Sequence, residues 1–172
     1  MASIFGHGMV GFTLAQMASK KTSKLLLFLA IGLSILPDVD VVTFGKIPYL
    51  HPFGHRGFTH SILFAFICAA ILTFLITKTK RCLHFVVLLL SMLSHGILDA
   101  LTTGGKGVGF LIPFNTERFF LPWKVIRVSP IGIREFFSNW GLQVIYSELK
   151  YIGLPCLIVL LFLHFTRKEE SI

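Results

Sequence analysis

"CLHFVVLLLSMLSHGILDAL", residues 82–101, decides the fold. Its single formally charged side chain is Asp99. A helix of about twenty residues rises about 30 Å, the thickness of a bilayer's hydrocarbon core, so the segment reads as a membrane-spanning helix. The polar residues in and just after it are regularly spaced. Ser91, His95, Asp99 and Thr102 recur at helical spacing and form one seam along one face. Such a seam turns away from lipid and toward other helices. His95 and Asp99, one turn apart, are a good ligand pair for a divalent metal such as zinc. Taken alone, the pair also reads as a hydrogen bond that merely joins two helices.

Working outward, hydropathy marks four more spans at about 3–19, 25–44, 58–77 and 142–165. The expected fold is therefore all-α: a polytopic membrane helix bundle of about five spans, forming a single domain over residues 1–172. Composition agrees, because only 14% of the residues are charged where a soluble domain carries roughly 25%. The net charge of +8 is then assigned to anionic lipid head groups and to topology, and no nucleic acid partner is expected. Cys68, Cys82 and Cys156 share no metal-binding spacing and read as small core residues. No cleavable signal peptide is expected, since the first apolar stretch lacks a preceding basic residue and contains His7. That first span is short and Gly-rich, which suits a tilted or partly interfacial helix. Pro37 breaks the second, whose last turn should open around "LPDVD".

Three basic clusters fall on one side of a five-span bundle: Lys20, Lys21 and Lys24; Lys78, Lys80 and Arg81; Arg167 and Lys168. The positive-inside rule makes that side cytoplasmic. Residues 102–141 are then a long loop on the outer face, too aromatic to be disordered and expected to hold short helical or extended pieces.

Alternation of the spans alone carries the polar residues to one membrane face, whichever side is cytoplasmic. His7 starts span one, Asp38 and Asp40 end span two, His55, Arg56 and His60 start span three, and His95 and Asp99 lie in the same half of span four. His84 and His164 sit at the opposite face. After Pro37, Asp38 and Asp40 either both enter one cavity, or one binds a metal while the other braces a histidine. In "HPFGHRGFTHS", residues 51–61, Gly57 permits a tight backbone and Thr59 is the expected cap of span three. His60 then points into the cavity, with His55 and Arg56 at its mouth and His51 on the surface. Gly6, Gly8 and Gly11 let the first helix approach others closely, bringing His7 to the same place. The expected metal-ligand set is His7, Asp38, Asp40, His55, His60, His95 and Asp99. Arg56 suits an anionic substrate oxygen such as a phosphate.

The series "GHGMVG", "LPDVD", "HRGFTHS" and "SHGILDALTTGG", in that order across about residues 5–120, resembles the YdjM-like family of bacterial inner-membrane proteins. The resemblance implies a metal-dependent hydrolase. A more distant similarity is to zinc-dependent phospholipase C and its fungal nuclease relatives. It implies that His95 and Asp99 match their HxxxD pair, that one of Asp38 and Asp40 matches an earlier aspartate, and that His60 and His7 match further histidines. No histidine follows Asp99 before His164, so one or two ions are implied. Arg118 in the outer loop is a second candidate anion contact, and Glu117 beside it a weaker candidate ligand outside the expected set.

The expected function is a membrane-embedded metal-dependent hydrolase acting on a phosphoester of a lipid or lipid-linked, anionic substrate. Zinc is the expected ion, with manganese the alternative. Asp38 or Asp40 would take a proton from water, and Arg56 and Arg118 would hold the anion. The site would face the outer side of the bacterial inner membrane. A metal-ion or proton transporter is the other reading of the same cluster, although it calls for polar groups at both faces and the opposite halves of the spans are almost wholly apolar. A structural metal that only fixes the bundle is the third.

Overall fold

The computed structural model describes residues 1–19, 22–76 and 78–169. Of the basic clusters, Lys20, Lys21 and the side chain of Lys168 lie outside the described residues. Helix α1 (Ile4–Ala18) starts at Ser3, whose hydroxyl accepts from the Gly6 amide. Helix α2 (Lys24–Ile35) starts the same way at Ser23 and ends ahead of Pro37, where the chain tightens into a 3-10 helix over Leu36–Thr43. A 3-10 turn at Phe58–His60 leads into α3 (Ile62–Ile76), followed by α4 (Arg81–Ala100). Beyond the long loop come α5 (Ile133–Phe136), α6 (Asn139–Glu148), a π-helical turn at Leu149–Gly153 and α7 (Leu154–Glu169). The described residues contain no strand, only isolated bridges between Thr102 and Ile126 and between Val108 and Phe119. The protein is an all-α membrane bundle, as its sequence predicts.

Three stretches are long and apolar enough to cross a bilayer: Lys24–Thr43, Arg81–Ala100 and Asn139–Arg167. They correspond to the expected spans 25–44, 82–101 and 142–165. Helices α1 and α3 have 15 residues each. At 1.5 Å per residue they are about 22 Å long, short of the hydrocarbon thickness. The α-helix expected from residue 58 begins only at Ile62, capped by Ser61, whose hydroxyl accepts from the Phe64 amide. Thr59, the expected cap, instead donates to Asp40 at 2.7 Å. A buried carboxylate needs donors more than a helix end does.

Helix α1 and the stretch α6–α7 run in the same direction, as the first and fifth of five alternating spans do. Ser3 meets Glu148 at one end of α1, and Arg167 donates to the carbonyls of Gln16, Met17 and Ser19 at the other. The helices are joined by a core of alanines and larger apolar residues, among them Ala15, Ala30, Ala65, Ala69, Leu88 and Met92. Small residues let helix backbones approach, and Gly11 marks the closest approach of α1 to α2. A Cβ at Gly11 would lie 2.6 Å from Ser34 Oγ and 2.7 Å from the Ala30 carbonyl oxygen. Backbone cannot yield as a side chain does, so Gly11→Ala is expected to cost about 1–3 kcal/mol. Thermal unfolding in detergent should show the lowered midpoint; an unchanged midpoint would mean the two helices are not held this closely.

Candidate metal centre

Depth and direction at the site follow from the irregular turns. A 3-10 helix has three residues per turn, so side chains two apart point to different sides. Asp38 faces His60 and His95, with Oδ1 at 3.9 Å and 3.3 Å from their Nε2 atoms. Asp40 faces the loop that precedes α3. Its Oδ1 lies 2.6 Å from His55 Nδ1, and its Oδ2 accepts from the Arg56 amide at 2.9 Å and lies 3.2 Å from His60 Nδ1. Of the two readings of "LPDVD", the structure therefore shows the divided one, in which Asp38 joins the cluster and Asp40 braces histidines.

The polar seam of α4 turns inward in full. Ser91, His95, Asp99 and Thr102 have no solvent exposure. His95 Nδ1 lies 2.8 Å from the Ser34 carbonyl oxygen, which can only accept, so Nδ1 carries the proton and Nε2 a lone pair. The same logic applies to His60, whose Nδ1 faces the Asp40 carboxylate. With both rings neutral, the two Nε2 lone pairs face each other at 3.0 Å. Two lone pairs at that distance repel unless something positive sits beside them.

Asp38, His60, His95 and Asp99 each offer one ligand atom, and the four atoms lie within 4.8 Å of one another. Asp99 Oδ2 is 3.5 Å from His60 Nε2 and 4.0 Å from His95 Nε2. A tetrahedral site with bonds of roughly 2.0–2.1 Å has ligand atoms about 3.3 Å apart, so the spacing fits a single ion. Asp38 Oδ1 and Asp99 Oδ2 are buried and lack hydrogen-bond partners. Unpartnered buried oxygens are costly, and a cation would satisfy both.

The other expected ligands lie around this group of four. His7 is fully buried and stacks on His95 with ring centroids 3.8 Å apart. Its Nε2 is 3.4 Å from Asp99 Oδ1, and neither ring nitrogen has a hydrogen-bond partner. His55 is outside the group, held by Asp40 and lining an adjoining cavity. Tyr49 meets the His55 ring edge-on, and burial pushes its phenol above the usual range, keeping it a neutral hydroxyl.

Both arginines are placed differently from expectation. Arg56 is buried, not at the mouth, because a left-handed backbone (φ 61°) turns its side chain inward. Its Nε lies 2.9 Å from Asp99 Oδ2 without an aligned hydrogen, while its other nitrogens donate to the Gly104 carbonyl and the Thr102 hydroxyl. A non-glycine residue at positive φ costs of order 1–3 kcal/mol and marks a turn that its surroundings enforce. Arg118 has its terminal nitrogens on the carbonyls of Tyr49, His51, His55 and Arg56. It pins the loop of residues 49–56 and has no terminal donor left over for an anion. Glu117 is exposed and pairs with Asn115, away from the cluster. His51 is on the surface, as expected.

Sequence reading missed Glu148. This buried carboxylate of α6 accepts from both the amide and the hydroxyl of Ser3, anchoring the start of α1 and with it His7. Its signal was a lone acidic residue inside an apolar span.

Fold and site together define a helical membrane protein with a buried His/Asp group able to bind a metal ion. The chain belongs to the YdjM family of inner membrane proteins, whose family model matches residues 1–170. It is 41% identical over 175 residues to inner membrane protein YbcI of Escherichia coli (strain K12), covering 98% of this chain and 100% of that protein. No solved structure matches it.

Proposed function

We propose that this protein is a membrane-embedded, metal-dependent hydrolase, with a divalent ion held by Asp38, His60, His95 and Asp99. The observation that carries the reading is the pair of facing Nε2 atoms of His60 and His95, 3.0 Å apart beside two buried carboxylate oxygens that accept no hydrogen bond. Two imidazole nitrogens and two carboxylate oxygens are a donor set suited to zinc, with manganese the alternative. Bound there, the ion would polarise a phosphoryl or carbonyl oxygen and activate water. Ser34 and Asp40 orient the two ligand imidazoles. His55, oriented by Asp40 and lining the cavity, is the group placed to accept or return a proton. Arg56 balances the buried charge of Asp99, and Arg118 holds the loop on which His55 and Arg56 sit. Among the described residues, Lys106 is the exposed side-chain cation on the same cavity, placed for an anionic phosphoester, lipid or lipid-linked. The site faces the outer side of the inner membrane. Ion transport is disfavoured by the apolar packing beneath the cluster, where Leu33, Leu88 and Met92 are buried.

Elemental analysis of detergent-purified protein, paired with a phosphoester panel that includes phospholipids, tests this directly. One or two equivalents of zinc or manganese, with hydrolysis that chelation abolishes, is the expected result. Protein that is metal-free as purified, is not stabilised by added zinc and hydrolyses nothing would sink the proposal.

Asp40 gives a graded test. Asp40→Asn keeps its shape but removes the charge that fixes the His60 tautomer, so zinc affinity should fall about 10- to 100-fold without being lost. Competition titration with a chromophoric chelator reads this. A loss as large as that of His95→Ala would make Asp40 a ligand.

A further inference from the structure

We infer that the loop 129–137 covers a groove for one hydrocarbon chain of a lipid whose anionic head group lies at Lys106 and His55. Two cavities adjoin here, both bounded by residues 129–132. One, of about 580 Å³, carries Tyr49, His55, Arg56 and Lys106 on walls that are otherwise mostly apolar, among them Phe44, Val128 and Trp140. The other, of about 610 Å³, is lined by Ile4, Phe5, Val41, Phe136 and Ile145 and is almost wholly apolar. A chamber with a few polar and charged groups on one wall, continued by one that has almost none, matches a molecule with a charged head and a long tail.

The position of the apolar chamber makes that tail a membrane lipid's. Its walls are the first turn of α1, the end of the 3-10 helix after α2, and α5 with Ile145 of α6, all at the site end of the bundle. Ile133 and Phe137 are 83% exposed beside Arg134 and Glu135, the pattern of a short segment lying in the membrane interface. Trp123 and Trp140, both exposed, add the aromatic residues that favour that level. The loop 102–141 has five basic residues against two acidic ones, so an anionic head is favoured over a neutral one even with Glu135 at the chamber wall. Arg56 and Arg118 are spent on protein partners, which leaves the Lys106 ammonium as the head-group contact. The inference rests on the hydrolase reading for what then happens to the head group, not for where the tail lies.

Photolabelling tests it without metal or turnover. The full-length protein is placed in phosphatidylcholine nanodiscs with a trace of phosphatidic acid carrying a diazirine near the end of one acyl chain. Labelled peptides should contain Phe5, Phe136 or Ile145, in excess over a phosphatidylcholine probe with the same chain. Lys106→Ala should lower that excess about tenfold, the worth of one charge-assisted contact. Filling the groove with Ile145→Trp, or with Ile4→Trp should the first variant misfold, should lower labelling of the remaining groove peptides about tenfold. Equal labelling by the two probes, or labelling spread over lipid-facing residues such as Phe28, Phe74 and Phe162, would overturn the inference. Groove labelling in a protein that binds no metal and hydrolyses nothing would support the groove and overturn the hydrolase reading alone.

Discussion

Replacing His95 by alanine will lower zinc affinity roughly 10²- to 10³-fold and abolish hydrolysis while the bundle stays folded. Structural zinc sites bind with apparent free energies of roughly 10–16 kcal/mol shared among four ligands, so each ligand carries roughly 2.5–4 kcal/mol. His95 is the ligand to remove because, unlike either aspartate, it takes no carboxylate charge with it. The groups that lose a contact are the Ser34 carbonyl, His60 and Asp38. Asp99→Ala would instead leave the Arg56 guanidinium buried without its carboxylate, mixing loss of metal with loss of fold. His7 complicates the outcome in an informative way. Its ring stacks on His95 with unpartnered nitrogens, so it can take over part of the lost coordination. The double variant with His7→Ala should therefore bind less zinc than His95→Ala alone. Metal content by mass spectrometry and melting of chelated samples check these outcomes together. Full metal retention in the double variant would remove the proposed centre.

Arg56→Met is expected to destabilise the protein by up to about 3–5 kcal/mol, because it takes the guanidinium from the buried Asp99 Oδ2 and leaves the Ala2 amide and the Met1 ammonium on Oδ1 alone to balance the charge. Against total stabilities of about 5–15 kcal/mol, that is close to unfolding. The sign of the metal effect follows. A divalent ion on Asp99 Oδ2 supplies the missing positive charge, so the variant should lose most stability after chelation and regain part of it with zinc. Adding Asp99→Asn to Arg56→Met removes both charges and should recover stability without recovering metal binding. Melting curves of wild type, Arg56→Met, Asp99→Asn and the double variant, each with chelator and with zinc, form the test. An Arg56→Met protein that melts like wild type under both conditions would show that the pair carries no such charge balance.

Much of the architecture is legible in the sequence. The runs at 25–44, 82–101 and 142–165 state their own helical form, because hydrocarbon solvent admits few alternatives for an apolar chain. The seam Ser91, His95, Asp99 and Thr102 states which face is buried, because helical periodicity is local. Alternation of spans then brings His7, Asp38, His60 and His95 to one end with no tertiary information. Spacing is silent about direction wherever the backbone leaves the regular helix. Asp38 and Asp40 look equivalent in "LPDVD", and only the 3-10 turn sends one to the cluster and the other to His55 and His60.

Charge alone misplaces the arginines for the same reason. A guanidinium beside a cavity reads as an anion contact until its donors are counted. Those of Arg56 go to Thr102 and Gly104 and those of Arg118 to four backbone carbonyls, partners 46 to 69 positions away in the chain. Glu148 meets Ser3 across 145 positions. By itself the sequence determined an all-α membrane bundle with a His/Asp group at one end, because hydropathy and helical period act over a few residues. Tertiary structure alone decided which of those groups face one another and which brace their neighbours. Burial forces each polar atom to find a partner, and that partner is most often far away in the chain.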